Sequence, residues 1–283
     1  MSAATAPAGL DWAFPAMGTR WRLHHGGAMD GAAAQAAADL VRADERRWSR
    51  FIPASEVSRL SQAAGHAVPV SRETLALVQA ACDWAARTDG RFDPLLGGAL
   101  TAAGYGDCLG PAPAPAPRER LDVDGKRGTV RVPAGARLDL GGIGKSWSAR
   151  RAGRLLAERA DDARIVVDAG GDVHVERGGE LVRTPAGPVH VVAGHGVATS
   201  SSERRAWARP GGERTHHLIN AATGRPGARG TAVVTGADLV ACDVLATCLV
   251  LDPDLLDALD VPAARLDVDG TLRANAHWPE VAA

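Results

Sequence analysis

The sequence predicts an α+β fold. Helical periodicity is present at 30–50 and 71–88, and an apolar helix is expected at 239–252. Short strand-like segments with hairpin turns lie between and after these helices. Because the strands do not alternate regularly with the helices, this order argues against a doubly wound parallel sheet.

The first hundred residues contain strand, helix and loop signals in turn. Residues 12–25 are expected to form a strand interrupted by a Met-Gly-Thr turn. The helix at 71–88 opens with Ser71, a residue type that caps helix N-termini well. Residues 91–100 follow as a loop, in which proline fixes the turn.

The remaining elements are mostly short strands. Residues 109–120 alternate Pro and Ala and are expected to be an extended surface loop, with a domain linker as the alternative. The segment 121–132 is typical of a hairpin, and a helix then runs to about Glu158. Residues 163–178 form two expected strands broken by Gly170–Gly171. Further strands are expected at 189–200, 215–220 and 231–238.

Composition and charge exclude several classes of protein. The chain has 283 residues, a net charge of −1 and 46% hydrophobic residues, and we expect a single domain over residues 1–283. This charge balance gives no electrostatic case for nucleic acid as the main partner. No apolar run approaches the roughly 20 residues of a membrane span. Residues 1–19 lack the pattern of a signal peptide, so a cytoplasmic location is expected.

Two clusters of arginines interrupt this otherwise balanced pattern of charge. They lie at 150–154 and at 204–209. Clusters of this kind are typical of solvated faces, and that is the interpretation we take from the sequence.

The glycine-rich stretch RLDLGGIGKSWSAR at 137–150 joins an apolar run to an expected helix. It is not a Walker A loop, because Asp139 stands five positions before Gly144, where that loop needs glycine. Trp147 likewise excludes the Rossmann pattern. Glycines let the backbone approach a ligand closely, and Lys145 supplies a charge suited to phosphate at a helix N-terminus. A strand–helix turn with a surface lysine is the alternative.

A carboxylate interrupts the apolar helix expected at 239–252. Asp243 and Thr247 are four residues apart, so they share one helix face. A carboxylate buried alone is costly, and hard cations take carboxylate and hydroxyl oxygens. The pair is therefore a candidate for two ligands of Mg²⁺. The alternative is a helix-capping aspartate, with the threonine bonding back to a carbonyl.

Two adjacent histidines, His216 and His217, lie in an expected strand. Neighbouring side chains of a strand point to opposite faces, so one of them can enter a site while the pair cannot chelate one metal comfortably. A structural histidine with satisfied hydrogen bonds is the alternative.

These segments, in their order along the chain, resemble the ApbE-type FAD:protein FMN transferases. The resemblance runs from about residue 14 to 252, and it rests on the joint order and spacing of motifs that are weak one by one. The motifs are AMGT (16–19), DGRFDP (89–94), LDLGGIGKSW (138–147), VDAGGDVHV (167–175), VATSS (197–201), HHLINAATGRP (216–226) and ACDVLAT (241–247).

The resemblance implies both a fold and a reaction. The fold of the family is a tandem of two T-fold-like halves with mixed or antiparallel sheets and long helices. The reaction moves the FMN half of FAD onto a serine or threonine hydroxyl of an acceptor flavoprotein, with Mg²⁺ present, and releases AMP. The implied partners are therefore FAD and the acceptor protein.

The resemblance also implies which residues contact the flavin end of FAD. Met17 matches a family position near the isoalloxazine ring. Phe51 stands where a tyrosine often contacts flavin, so the ring is kept and a hydroxyl is lost. Arg91, Phe92 and Asp93 match the segment that lines the FAD site.

Other motif positions match contacts to the rest of the dinucleotide. Asp139 and Lys145 match cofactor contacts in the glycine-rich motif. His217, with Leu218 and Ile219, lies in the family's segment beside the pyrophosphate and adenosine.

The implied metal site and the implied catalytic base have Asp243 in common. Gly142 matches the residue whose backbone carbonyl binds Mg²⁺, and Asp243 and Thr247 match the side-chain ligands. The base that takes the proton of the acceptor hydroxyl is Asp243 or His217, and the sequence does not choose between them.

Two positions depart from the family pattern, since Ser146 and Ser201 stand where glycine is common.

Two other functions would use the same site. One is a Mg²⁺-dependent FAD pyrophosphatase that produces FMN and AMP, and the other is a non-enzymatic FAD-binding protein.

Overall fold

The computed structural model describes residues 11–26, 30–106, 108–110, 120–159, 164–208, 212 and 214–279. Six α-helices and one 3₁₀-helix occur in this part of the chain. The helices are α1 (Gly31–Trp48), α2 (Glu56–Gln62), α3 (Arg72–Arg87), α4 (Gly97–Ala102), α5 (Gly144–Arg159) and α6 (Leu239–Leu251), followed by a 3₁₀-helix (Pro253–Ala258).

The strands of the described chain are mostly short. In chain order they are β1 (Asp11–Ala16), β2 (Thr19–His25), β3 (Ala67–Pro69), β4 (Asp122–Asp124), β5 (Thr129–Arg131), β6 (Ile165–Asp168), β7 (Val173–Arg177), β8 (Gly179–Thr184), β9 (Gly187–Val192), β10 (Gly196–Ser201), β11 (Ala206–Ala208), β12 (Arg214–His216), β13 (Ile219–Asn220), β14 (Arg225–Pro226), β15 (Thr231–Gly236), β16 (Ala263–Leu266) and β17 (Leu272–Ala274).

An eight-stranded sheet in the order β1-β2-β6-β7-β10-β15-β16-β17 organises the fold. Every neighbouring pair in it is antiparallel. The sheet contains two sets of four neighbouring strands, β1-β2-β6-β7 and β10-β15-β16-β17. Each set has two antiparallel strand pairs, and long helices lie between the pairs along the chain: α1 and α5 in the first set and α6 in the second. The prediction of an α+β fold with antiparallel sheets is confirmed.

The helices α1 and α5 pack on one face of this sheet because each has a face of small apolar residues. On α1, Ala33, Ala37 and Val41 recur at helical spacing and are fully buried, and the carboxylate of Asp30 caps the first turn. Small side chains allow the helices to lie close together and to cover Trp21 of β2.

The helix α6 is apolar around most of its circumference because it lies between two cores. Leu239 and Leu249 pack in the core between the sheet and the helices. Val240 and Val244 pack in a second core, which α2, α3 and the small sheet β3-β5-β4 also build. A helix that is hydrophobic all round is typical of such a buried position.

The N-cap predicted at Ser71, which precedes α3, is confirmed, since its hydroxyl accepts from the Thr74 N–H at 3.3 Å.

The prediction of a loop over 91–100 is wrong in its second half, where Gly97–Ala102 forms α4. Two glycines make this segment a weak helix former, so tertiary contacts decide its structure. The Gly97 N–H donates to the Arg137 carbonyl at 3.0 Å. Leu100 is buried against Ile219.

The helix α2 was not predicted from the sequence; it begins after an N-cap at Ser55, whose hydroxyl accepts from the Ser58 N–H. The loop predicted at 109–120 lies outside the described residues, except at 109–110 and 120. Within the described chain, no helix is both long enough and apolar enough to cross a membrane.

Candidate active site

A cavity of about 1140 Å³ lies at one end of the eight-stranded sheet. The β1–β2 turn, the glycine turn between β6 and β7, the end of β10, the start of α5 and the middle of α6 meet there. Every site residue named from the sequence lines this cavity: Met17, Phe51, Arg91, Phe92, Asp93, Asp139, Gly142, Lys145, His217, Leu218, Ile219, Asp243 and Thr247. Their separate roles remain predictions.

Asp243 presents a buried carboxylate to the cavity from the second turn of α6. The residue is 4% exposed, and its Oδ2 atom has no hydrogen-bond partner among the described residues. Burial, and then the neighbouring Asp172 carboxylate, raise the pKa of Asp243, while the Lys145 ammonium opposes that rise. The helix-cap interpretation of Asp243 is wrong, because Asp238 caps α6 and accepts from the Val240 N–H.

Thr247 lies one helical turn after Asp243 and faces the same cavity. Its hydroxyl shares a hydrogen bond of 2.8 Å with the Ser200 hydroxyl at the end of β10. A buried carboxylate oxygen without a partner, beside a hydroxyl, fits a hard cation. In the described chain no group of three or more His, Cys, Asp or Glu side chains could hold a metal, so a cation here would need hydroxyl and backbone oxygens as well.

Lys145 is the second residue of α5 and pairs with a buried carboxylate. Its Nζ lies 3.3 Å from Asp172 Oδ2, and the two side chains are 20% and 4% exposed. Burial disfavours the lysine charge, but the carboxylates of Asp172 and Asp243 outweigh burial and raise the Lys145 pKa above its usual value. The interpretation of Lys145 as a surface lysine is therefore wrong. Its charge is held inside the cavity.

The two serines predicted to depart from the family pattern, Ser146 and Ser201, both make local hydrogen bonds. The Ser146 side chain is fully buried, and its hydroxyl donates to the Ile143 carbonyl at 2.9 Å. The Ser201 hydroxyl shares a hydrogen bond of 2.8 Å with the Thr231 hydroxyl across β10 and β15. Both serines are therefore accommodated without unpaired hydroxyls.

The adjacent histidines take the two roles that the sequence left open. His216 is buried and structural: its Nδ1 accepts from the Leu218 N–H, and its Nε2 lies 3.2 Å from the Gly227 carbonyl. His217 lines the cavity, and its Nδ1 has no hydrogen-bond partner among the described residues. Burial and the nearby Arg205 guanidinium lower the pKa of His217 to about 4. The imidazole is therefore neutral at pH 7.

Two aromatic rings, Phe51 and Tyr105, line the cavity. Phe51 is 52% exposed. It meets Tyr105 edge-on, with the ring centroids 5.7 Å apart, and Tyr105 stacks on Trp207 at 5.4 Å. Met17, which also lines the cavity, has a left-handed backbone with φ of 51°, and its N–H donates to Glu45 at 2.7 Å. An exposed aromatic ring is a suitable surface for a planar ligand.

Several predicted contacts already have partners within the protein. Arg91 pairs with Asp252, with 2.9 Å between Nε and Oδ2. Asp93 accepts from the Leu95 N–H at 2.8 Å, and burial raises the Asp93 pKa. Asp139 accepts from the backbone N–H of Gly141, two residues later. These groups hold the cavity wall in shape as well as facing the cavity.

The ApbE family model matches residues 17–261. The chain belongs to the ApbE family. Solved ApbE proteins share its fold. One from Thermotoga maritima is 24% identical, with a TM-score of 0.83 over 96% of this chain and all of that chain.

Two further ApbE structures are similar to the chain. The apo flavinyl transferase ApbE from Pseudomonas stutzeri is 18% identical, with a TM-score of 0.79 over 96% of this chain and 98% of that one. The flavin transferase ApbE from Vibrio cholerae is 20% identical, with a TM-score of 0.75 over 95% and 98% of the two chains. No curated protein matches the sequence significantly.

In this ApbE chain, part of the second arginine cluster belongs to the cavity and not to a solvated face. Arg204 donates to the Gly170 carbonyl at 2.6 Å, and Arg205 donates to the Tyr105 hydroxyl at 3.3 Å. Both arginines line the cavity. The first cluster is paired as well, since Arg150 lies 2.8 Å from Asp238.

Sequence reasoning missed the buried partner of Lys145. Asp172 belongs to the motif VDAGGDVHV, but nothing in the sequence places it beside α5. The available signal was a carboxylate directly after a glycine pair that separates two apolar strands. Tyr105 and Arg205 gave no comparable signal, because they enter the cavity from loops.

Proposed function

We propose that the protein transfers the FMN moiety of FAD to a serine or threonine hydroxyl of an acceptor flavoprotein, in the presence of Mg²⁺, and releases AMP. One observation carries the proposal: Oδ2 of buried Asp243, which has no hydrogen-bond partner in the described chain, lies one turn before Thr247 in a cavity that also holds the Lys145 ammonium. This set of groups suits a cation and a phosphorylated ligand together.

The size of the cavity and the family support a dinucleotide substrate. Its volume of about 1140 Å³ exceeds the roughly 300–1,000 Å³ that small ligands occupy. The solved ApbE proteins from Pseudomonas stutzeri and Vibrio cholerae are named as flavin transferases. FAD is therefore the substrate that fits both the site and the family.

The proposed Mg²⁺ ligands are Asp243 Oδ2, the Thr247 hydroxyl and the backbone carbonyl of Gly142. When bound, the ion supplies positive charge against the pyrophosphate oxygens, where negative charge builds up in the transition state. Lys145 faces the same dinucleotide and holds its phosphates by charge.

The transfer itself is a substitution at phosphorus. The acceptor oxygen forms a bond to the FMN-side phosphorus, the bond from that phosphorus to the bridging oxygen breaks, and AMP leaves with that oxygen. The hydroxyl proton passes to a base of the protein. A neutral imidazole with a pKa of about 4 is a weak base at pH 7, which favours Asp243 over His217.

Incubation with FAD, Mg²⁺ and candidate flavoprotein subunits tests this function. We expect AMP release that depends on the acceptor, together with an acceptor whose intact mass increases by the mass of the bound flavin phosphate. AMP release without any acceptor would indicate a pyrophosphatase instead. Tight FAD binding with no AMP release would indicate a binding protein.

Affinity for flavins should follow the number of phosphate groups. We expect FAD to bind more tightly than FMN or riboflavin, because Lys145 and the glycine turn at 141–144 face the pyrophosphate. Titration by flavin fluorescence measures all three ligands. Equal affinity for FAD and riboflavin would contradict the role given to Lys145.

Phe51→Ala should weaken FAD binding by about 1–3 kcal/mol, the range for a lost aromatic contact. The ring is 52% exposed, so its removal should hardly change the melting temperature. Phe51→Tyr should bind normally. Leu272→Ala, at a similarly exposed apolar side chain outside the cavity, is the control. Normal FAD affinity in Phe51→Ala would remove Phe51 from the flavin site.

A further inference from the structure

The cavity continues around the end of the sheet onto the face opposite α1 and α5. On β2, Trp21 and Leu23 are fully buried under the helices, so the alternating residues Arg20 and Arg22 point to the other face. The hairpin β8–β9 forms the facing wall. We call this part of the cavity the reverse-face groove; it is lined by Arg20, Arg22, Val166, Val182, Arg183 and Arg204.

The reverse-face groove carries an excess of positive charge. Two carboxylates, those of Asp168 and Glu180, face its arginines. Asp168 accepts from the Gly170 N–H at 2.7 Å and lies 3.9 Å from Arg22, and Glu180 pairs with Arg164. Both acidic groups are therefore already engaged by the protein.

Two arginines of the groove remain available to a ligand. Within the described chain, the side chains of Arg20 and Arg183 make no ion pair or hydrogen bond, and both residues are exposed. Val166 and Val182 also line the groove and belong to one apolar cluster, so part of the lining is apolar. Cationic side chains beside an apolar lining suit a polypeptide with acidic side chains.

The spacing of charges along β2 suits an extended ligand. Arg20 and Arg22 are two residues apart on one strand face, roughly 6.5–7 Å, which is also the spacing of alternate side chains in an extended peptide. The groove reaches the Asp243 site at the Gly170–Gly171 turn, where Arg204 is bonded to the Gly170 carbonyl. A peptide in the groove would therefore lead to the Asp243 site.

We propose that the reverse-face groove binds the acceptor protein, through an extended acidic segment next to the serine or threonine that is modified. This inference rests on the proposed transferase function, since only a transferase needs a second substrate at this position. The groove then selects the acceptor by charge, while the cavity behind it holds FAD.

Peptide binding to the FAD-loaded protein without metal tests the groove. The probes are two labelled peptides of equal length with a central threonine, one with flanking aspartates and one with asparagines in their place. We expect the aspartate peptide to bind at least about tenfold more tightly at low salt. Arg20→Glu and Arg183→Glu should each abolish this preference. Arg127→Glu, at an arginine 82% exposed on the β4–β5 turn, should retain it.

Three results would overturn the inference. The first is equal binding, or no binding, of the two peptides, and the second is a loss of the preference for the aspartate peptide in Arg127→Glu as well. The third is a loss of FAD affinity in Arg20→Glu and Arg183→Glu. The last would assign the groove to the dinucleotide. Peptide binding is measured without transfer, and AMP release is measured separately. A result against acceptor binding by the groove can therefore be distinguished from a result against the transferase function.

Discussion

Asp243→Asn is expected to abolish flavin transfer while the chain remains folded. The substitution keeps the size of the side chain but removes the charge that would hold Mg²⁺ and accept a proton, so transfer should fall by about 10³-fold or more. Stability should not decrease, because a buried carboxylate beside Asp172 is replaced by a neutral amide. Acceptor flavinylation and AMP release measure the first effect, and thermal unfolding measures the second.

A metal titration separates the two roles of Asp243. Partial rescue at high Mg²⁺ indicates a lost ligand, whereas no rescue indicates a lost base. Thr247→Val should weaken Mg²⁺ affinity, but more mildly than Asp243→Asn, since it removes a neutral ligand. Asp238→Asn makes the same change at the N-cap of the same helix and should leave transfer intact. Near-normal transfer by folded Asp243→Asn would contradict both roles.

Lys145→Met should both destabilise the protein and weaken FAD binding. It leaves Asp172 buried at 4% side-chain exposure without its ion-pair partner, which is expected to cost about 3 kcal/mol of unfolding free energy. FAD affinity should fall by about tenfold or more, because the charge facing the phosphates is lost. Chemical denaturation and flavin titration measure the two effects.

The double variant Lys145→Met with Asp172→Asn distinguishes pairing from ligand binding. Stability should recover, because the unpaired charge is removed, while FAD affinity should stay low. Lys126→Met, in an exposed turn, is the matched control and should change neither quantity. If the double variant is no more stable than Lys145→Met, the pair with Asp172 does not stabilise the fold.

Local signals in the sequence predicted much of the secondary structure. The helices α1 and α3 show helical periodicity, α6 is a continuous apolar segment, and the glycine pair at 170–171 correctly marked the break between β6 and β7. Segments whose structure depends on distant partners were not predictable in this way. α4 contains two glycines and forms because Leu100 packs against Ile219.

The contrast between local signals and distant partners also applies to the residues of the cavity. Asp243 was detectable because a carboxylate in an apolar helix stands out along the chain. Asp172, Arg204 and Arg205 belong to the cavity only because β7 and the loop after β10 return to the start of α5. No local pattern carries that information, so the ion pair of Lys145 and the positive charge around the turn at 170–171 became visible only in three dimensions.

The position of α6 between two cores limits how local unfolding can displace the site residues that this helix carries. Asp243 and Thr247 line the cavity from this helix, while Leu249 and Val244 anchor it in the two cores. Local opening that frees a loop would leave these two groups in place. Displacing Asp243 and Thr247 requires α6 to leave both cores, so their positions should be protected from exchange as strongly as the cores themselves.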